Sequence, residues 1–419
     1  MASAKKEPAT VAVAAEPDQR AVGLEGFHDD MLPAWRSALR RWLLVLVDAE
    51  QPVLSNCRSP WRDVFFTYTT NLGTHTFFLL TIPLLFWCGY ADVGRGLAVV
   101  LVMGVFGTGF LKDLLCLPRP YSPPVHRLCF SKSHRLEYGF PSTHSANAVS
   151  IGLFLLAQLD HFWPYDATAS VAVAASRLAV QTLLWVYMGS ITFGRLYCGM
   201  HGLVDVVSGT LLGIGVYEVW RLWWPVVESW AFTADPLVPY FIVGVSIALV
   251  ILHPDPAEPC PCLDDSIAVV GVILGLLLAT WHYPQMVPDV TPRGSIPFDY
   301  ASIGFVRAIL RIVLGVVVML VWRIATKLLC YKLLPPLYRL GHFPYRKFYA
   351  PATTYTFPAA SEIERVPSIV NMPSAVVDRV GNNKVGYSNP AKDKLRQRIV
   401  APQPERPVRP AQLNCDDKH

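Results

Sequence analysis

Long apolar blocks alternate with short polar connections from residue 74 to residue 322. Apolar stretches near 74–90, 95–111, 143–159, 178–194, 203–224, 237–253, 266–282 and 303–322 each approach the roughly 20 residues that a helix needs to cross about 30 Å of hydrocarbon. None shows the alternation of a membrane strand. The pattern predicts an all-α integral membrane protein of about eight transmembrane helices, with Trp, Tyr, Lys and Arg extending the shorter ones into the interfaces. Between 33 and 60 the apolar run Trp42 to Val47 follows Arg36, Arg40 and Arg41. That run is too short to span, so an interfacial amphipathic segment is expected. Residues 1–32, polar and without the apolar core of a signal peptide, and the Pro-rich stretch 341–419 are expected to be disordered tails. The division is therefore a tail (1–32), an interfacial segment (33–60), five spans (61–225), three further spans (226–340) and a tail (341–419).

Composition agrees with this pattern. Of 419 residues, 53% are hydrophobic and 16% charged, against about 25% charged in soluble domains, which excludes a soluble globular protein. The formal charge of +5 comes with no basic stripe interleaved with aromatics, so the bilayer and not nucleic acid is the partner it implies. Nine cysteines, an odd number without paired C-x-x-C motifs, point to neither a metal site nor a disulfide framework. Cys260 and Cys262 are expected to be free or lipid-facing.

The scarce polar residues collect at three places. Lys112 and Arg119-Pro120 follow the second span, Pro141-Ser142-Thr143-His144 opens the third, and Arg195, His201 and Asp205 join the fourth to the fifth. Counting crossings puts all three on one membrane face, where they can meet in one pocket. Lys112, Arg119 and Arg195 are cations suited to phosphate oxygens. Ser142 and the amides at the start of the third span add donors and the positive end of a helix dipole. His144 and His201 can transfer protons or attack near neutral pH. Asp205, four residues beyond His201, shares its helix face and can orient the imidazole. Taken singly, each cation also fits a side chain snorkelling at the interface.

Together the spacings K-x6-RP (Lys112 to Pro120), PS-x-H (Pro141 to His144) and R-x5-H-x3-D (Arg195 to Asp205) resemble the three-part signature of the type 2 phosphatidic acid phosphatases, the lipid phosphatase and vanadium haloperoxidase superfamily. Lys112-Asp113, the run Pro118 to Val125 with Arg127, Glu137 to His144 and Tyr197 to His201 are similar to the branch that hydrolyses sphingosine 1-phosphate and other long-chain base phosphates. Two positions depart from the wider superfamily: Thr143 stands where Gly is usual, and Gly194 where Ser is usual. The resemblance covers roughly residues 60–225 and implies a helical-bundle lipid phosphatase core.

The resemblance further implies that Lys112, Arg119, Arg195, Ser142 and the amide of Thr143 hold the phosphate. His201 attacks phosphorus to form a phosphohistidine, with Asp205 on its other ring nitrogen, while His144 protonates the leaving alkoxide and then activates water. The cations do the work of a metal, so no cofactor and no metal are expected. The implied substrate is a membrane lipid, a long-chain base phosphate such as sphingosine or dihydrosphingosine 1-phosphate. Glu137 and Asp113 are the candidates for its ammonium, or else pair with Arg127, Arg135 or Lys132. The implied location is the endoplasmic reticulum membrane with a lumenal site, although Arg36, Arg62, Arg323 and Lys327 argue for a cytosolic face by charge count. Two other readings stay open: a phosphatidate or polyprenyl diphosphate phosphatase of the same superfamily, and a transporter using the cations as an anion site.

Overall fold

The computed structural model describes residues 32–48, 58–73, 75–120, 128, 137–166, 168–258, 260–286, 298, 300–341 and 346. The expected tails lie outside the described residues except for Leu32, Gly341 and Arg346. Every regular element among the described residues is helical: α1 Ala34–Asp48, α2 Pro60–Asn71, α3 His75–Trp87, α4 Ala91–Leu115, α5 Thr143–Phe162, α6 Val171–Tyr197, α7 Leu203–Ala231, α8 Leu237–Leu252, α9 Cys262–Met286, α10 Tyr300–Ile303 and α11 Phe305–Gly341. Five of these, α4, α6, α7, α9 and α11, are long and apolar enough to cross a membrane. Helix α8 is apolar but has 16 residues. Helix α3 has 13, about 20 Å of rise, and is shorter than the apolar stretch that predicts it.

Helix α4 is the axis of the bundle. From Gly96 to Leu111 it carries no charged side chain, as suits a helix surrounded by others, and its Val93, Leu97, Val100, Leu101 and Val105 pack with Phe78 of α3, Ile151 and Phe154 of α5 and Val216 of α7. The apolar residues of α6 and α11 are almost all exposed, among them Leu178, Leu183, Leu310 and Leu314. That is the surface a helix presents to hydrocarbon. Helices α5 and α7 lie backbone to backbone: a Cβ on Gly209 would stand 2.5 Å from the carbonyl oxygen of Ser142, and one on Gly213 2.4 Å from that of Ala146. This close approach sets the start of α5 beside the start of α7.

Helix α1 inverts the expected use of its charges. Trp35 and Trp42 are 60% and 65% exposed, whereas Arg36 and Arg40 are buried. Arg36 donates from Nε to Leu114 O (2.8 Å) and from Nη2 to Asp113 O (2.6 Å), and Arg40 donates from Nε to Cys116 O (3.4 Å). These carbonyls end α4 and have no partner within it. A third arginine does the same elsewhere: Arg346 donates to Val250 O (2.6 Å) and Ile251 O (2.8 Å) at the end of α8.

Candidate active site

Four helix ends meet here: the C-termini of α4 and α6 and the N-termini of α5 and α7. Helix α4 stops because Cys116 turns into the left-handed region (φ 51°), its N–H bonding to Lys112 O. This leaves Lys112 on the last turn, 1% exposed as a side chain. The chain then runs alongside residues 137–139, with Gly139 N donating to Leu117 O (2.9 Å). A Cβ on Gly139 would lie 2.6 Å from Pro118 O, so only glycine permits that pairing. Ser142 caps α5: its Oγ accepts from Ser145 N (3.4 Å) and from Ser145 Oγ (2.9 Å). It is fully buried, and its own N–H donates to Asp205 O (3.0 Å).

Arg119 ties the first motif to the third and to Glu137. Nε donates to Glu137 O (2.9 Å), Nη2 to Glu137 Oε2 (2.7 Å), and Nη1 to Met200 O (2.9 Å) and to His201 Nε2 (3.0 Å). A guanidinium has no acceptor, so Nε2 of His201 carries the lone pair and Nδ1 the proton. Nδ1 faces Asp205 Oδ2 at 3.5 Å. That carboxylate is anchored by Gly202 N–H (3.0 Å), the backbone start of α7. His201 arrives there through a turn at Gly199 (φ 64°) immediately after α6. Burial first, then the charges of Arg119, Arg195 and Lys112, hold its pKa well below the usual imidazole range. The ring is therefore neutral at neutral pH, with its unprotonated nitrogen directed at a cation.

The structure thus brings Lys112, Arg119, His201, Asp205 and Ser142 into one bonded group. Arg195 is buried on the last turn of α6 and near enough to act on His201. Thr143 and His144 follow Ser142 on the first turn of α5, both half-buried, with His144 beside Gly73. Gly194 faces α2: a Cβ there would meet Thr70 Cγ2 at 3.0 Å and Phe66 Cδ1 at 3.3 Å.

Glu137 has the partners that sequence reasoning missed. Its Oε1 accepts from Lys112 Nζ (2.7 Å) and its Oε2 from Arg119, whereas Arg127, Lys132 and Arg135 lie outside the described residues. The signal was present: Glu137 is the only acidic residue between Arg119 and His144. Asp113 is not its companion. It points to the other side of α4, with Cys260, Cys262 and, 3.7 Å away, Nδ1 of His253. Both thiols are free and buried, so they do not face lipid. Asp113, Cys260 and Cys262 are the described residues whose atoms lie close enough to share a metal ion. The sulfurs, however, are 2.6 Å apart, well inside the roughly 3.8 Å that two ligands on a tetrahedral zinc with 2.3 Å bonds keep.

Residues 94–228 match the PAP2 superfamily. The chain is similar to the dihydrosphingosine 1-phosphate phosphatase C823.11 of Schizosaccharomyces pombe, 36% identical over 314 residues that cover 73% of this chain and 72% of that one. It is also similar to the dihydrosphingosine 1-phosphate phosphatase YSR3 of Saccharomyces cerevisiae, 34% identical with 74% and 76% covered. Among solved structures, a transmembrane PAP2 type phosphatidylglycerolphosphate phosphatase from Bacillus subtilis aligns with a TM-score of 0.33 at 21% identity, over 47% of this chain and 92% of that one.

Proposed function

The chain belongs to the PAP2 superfamily, and from that premise we propose that it dephosphorylates sphingoid long-chain base phosphates to the free base and phosphate. The observation that carries the chemistry is the bond from Arg119 to Nε2 of a neutral, buried His201. It supports a site in which a cation that binds phosphate also holds the phosphate next to the nucleophile. The observation that carries the substrate is the similarity to two dihydrosphingosine 1-phosphate phosphatases.

In this reading Lys112, Arg119 and Arg195 neutralise the phosphate oxygens, with Ser142 and the Thr143 amide at the positive end of α5. Nε2 of His201 attacks phosphorus as the P–O bond to the lipid breaks, and Nδ1–H stays directed at Asp205. His144 gives the leaving alkoxide its proton, then takes one from the water that cleaves the P–N bond. Three fixed cations supply the charge stabilisation that a metal supplies in other phosphatases.

The domain reading keeps a tail to residue 32, an interfacial segment to 60, a phosphatase core over 61–225, further spans over 226–340 and a tail from 341. About eight membrane crossings follow if α3, α5 and α8 join the five long helices. We keep location in the endoplasmic reticulum membrane with the site toward the lumen, and the placement of Arg36 and Arg40 removes part of the charge argument for a cytosolic face. Both are buried against the end of α4, so neither counts as a surface charge favouring the cytosol.

The test is phosphate release by the purified full chain in detergent with excess chelator, offered dihydrosphingosine 1-phosphate, phosphatidate and a polyprenyl diphosphate. Preference for the base phosphate, undiminished by chelation, is expected. Preference for either competitor overturns the substrate, and no release from any of them overturns the enzyme in favour of an anion site.

A further inference from the structure

Two buried cations of the site hold a carboxylate between them. Side-chain exposure is 1% for Lys112 and 3% for Arg119, but 17% for Glu137, so the carboxylate is the face of this trio nearest the open side. Its two oxygens take one cation each at 2.7 Å. That is the arrangement a phosphate would need for two of its own oxygens. Arg119 Nε also holds the main-chain oxygen of Glu137 at 2.9 Å, so the side chain can swing away without its peptide leaving the site.

A phosphate that takes this place must displace the carboxylate. The displaced group then sits beside a dianion, short of the cations it had, in a largely buried setting where an uncompensated charge is costly. A phosphomonoester without a positive group bears that whole penalty. An amino-alcohol phosphate brings its own remedy, because its ammonium sits on the carbon next to the one that bears the phosphate, within one side-chain rotation of Glu137. Resting on the proposed reading of the site, we propose that Glu137 is the specificity-determining residue of this enzyme: it fills the phosphate seat when no substrate is bound and accepts the substrate's ammonium once displaced. Selection for amino-alcohol phosphates then works mainly against the alternatives, by a negative charge that only they leave unpaired.

The experiment compares wild type, Glu137→Gln and Glu137→Asp, each as the full chain in detergent, on two single-chain lipids that differ at the amino group: dihydrosphingosine 1-phosphate and lysophosphatidate. Inorganic phosphate is added separately as inhibitor. Wild type is expected to prefer the amino lipid. In Glu137→Gln the ratio of kcat/KM values should shrink by about tenfold or more, the scale of one lost charge pair. The change should fall on KM for the amino lipid, with a smaller effect on lysophosphatidate, and inorganic phosphate should inhibit at lower concentration. Glu137→Asp, which keeps the charge, should retain most of the preference. An unchanged ratio in Glu137→Gln overturns the proposal. So does an equal fall in kcat on both lipids with weaker phosphate inhibition, the outcome if Glu137 only props Lys112 and Arg119. Thermal melting separates either result from misfolding. If Glu137→Gln does not fold, Glu137→Asp decides, because loss of the preference in that charged variant also overturns the proposal. Failure of the long-chain base reading shows separately, as wild type inactive on dihydrosphingosine 1-phosphate.

Discussion

Nη1 of Arg119 donates to Nε2 of His201 across 3.0 Å, and this bond fixes which nitrogen of the imidazole carries its proton. The consequence runs to the far side of the ring, where Nδ1–H faces Asp205 Oδ2 at 3.5 Å. Arg119 thereby sets the tautomer of His201 while belonging to a different motif and a different helix end.

Replacing Asp205 by Asn puts an amide where an acceptor is needed and favours the wrong tautomer. Activity should fall by about 10²- to 10⁴-fold, in kcat more than in KM. His201→Ala should remove the covalent intermediate altogether. Radiolabelled lipid phosphate with an alkaline quench checks both: label stays on wild-type protein and is absent from His201→Ala. A labelled His201→Ala protein would remove His201 from the nucleophilic role.

The depressed pKa of His201 gives stability a pH dependence of known sign. Above the ordinary imidazole value near 6.5, both folded and unfolded chains hold the ring neutral and it contributes no slope. Below it, the unfolded chain takes up a proton that the folded chain refuses, so stability falls on acidification until the lower folded pKa is reached. Melting midpoints at pH 7.5 and 5.5 should differ more for wild type than for His201→Gln. Equal differences would mean that the slope belongs to other groups.

Arg36 ends α4 with bonds to the carbonyls of Asp113 and Leu114. Arg36→Ala should cost about 1.5–3 kcal/mol, the usual range for hydrogen bonds from a charged donor, and lower the melting midpoint by several degrees. Arg41→Ala on the exposed face of α1 should change it little. Since Lys112 is on the turn that Arg36 caps, activity is expected to fall with stability.

A methyl group on Gly209 has no room, because Ser142 O would lie 2.5 Å from it. Gly209→Ala should push α5 from α7 and lengthen the Ser142–Asp205 bond. A shift of about 1 Å there can cost 10²-fold in rate. Gly215→Ala, on the same helix with open space around its Cβ, should retain activity. Phosphate release together with melting curves for the two variants tests this.

Helix placement was legible wherever apolar runs were long, and helix ends were not. Helix α7 is expected to stop near residue 224, ahead of Pro225, yet it continues to Ala231. Glu228 explains the extension: it pairs with Arg95 at the start of α4 (2.8 Å), whose guanidinium also lies over Phe232 (5.1 Å). Such a contact between residues 133 positions apart leaves no local trace. Glu137 carries the same lesson for the site. Its type and isolation were visible, but its partners depended on how two loops lie against each other.

The sequence by itself determined the lipid setting and the set of candidate site residues. Apolar runs of spanning length have one stable form in hydrocarbon, and cations and histidines at helix ends in these spacings have few uses besides a phosphate. Only the tertiary structure decided which charges gather at the candidate site and which close helix ends. Arg36 and Arg40 look like surface cations in the chain, yet they close the end of a helix. Glu137 looks like a loop carboxylate, yet it sits between Lys112 and Arg119. The physical reason is that a charge takes its role from the partners that neutralise it within a few ångströms, and in a helical bundle those partners come from distant parts of the chain.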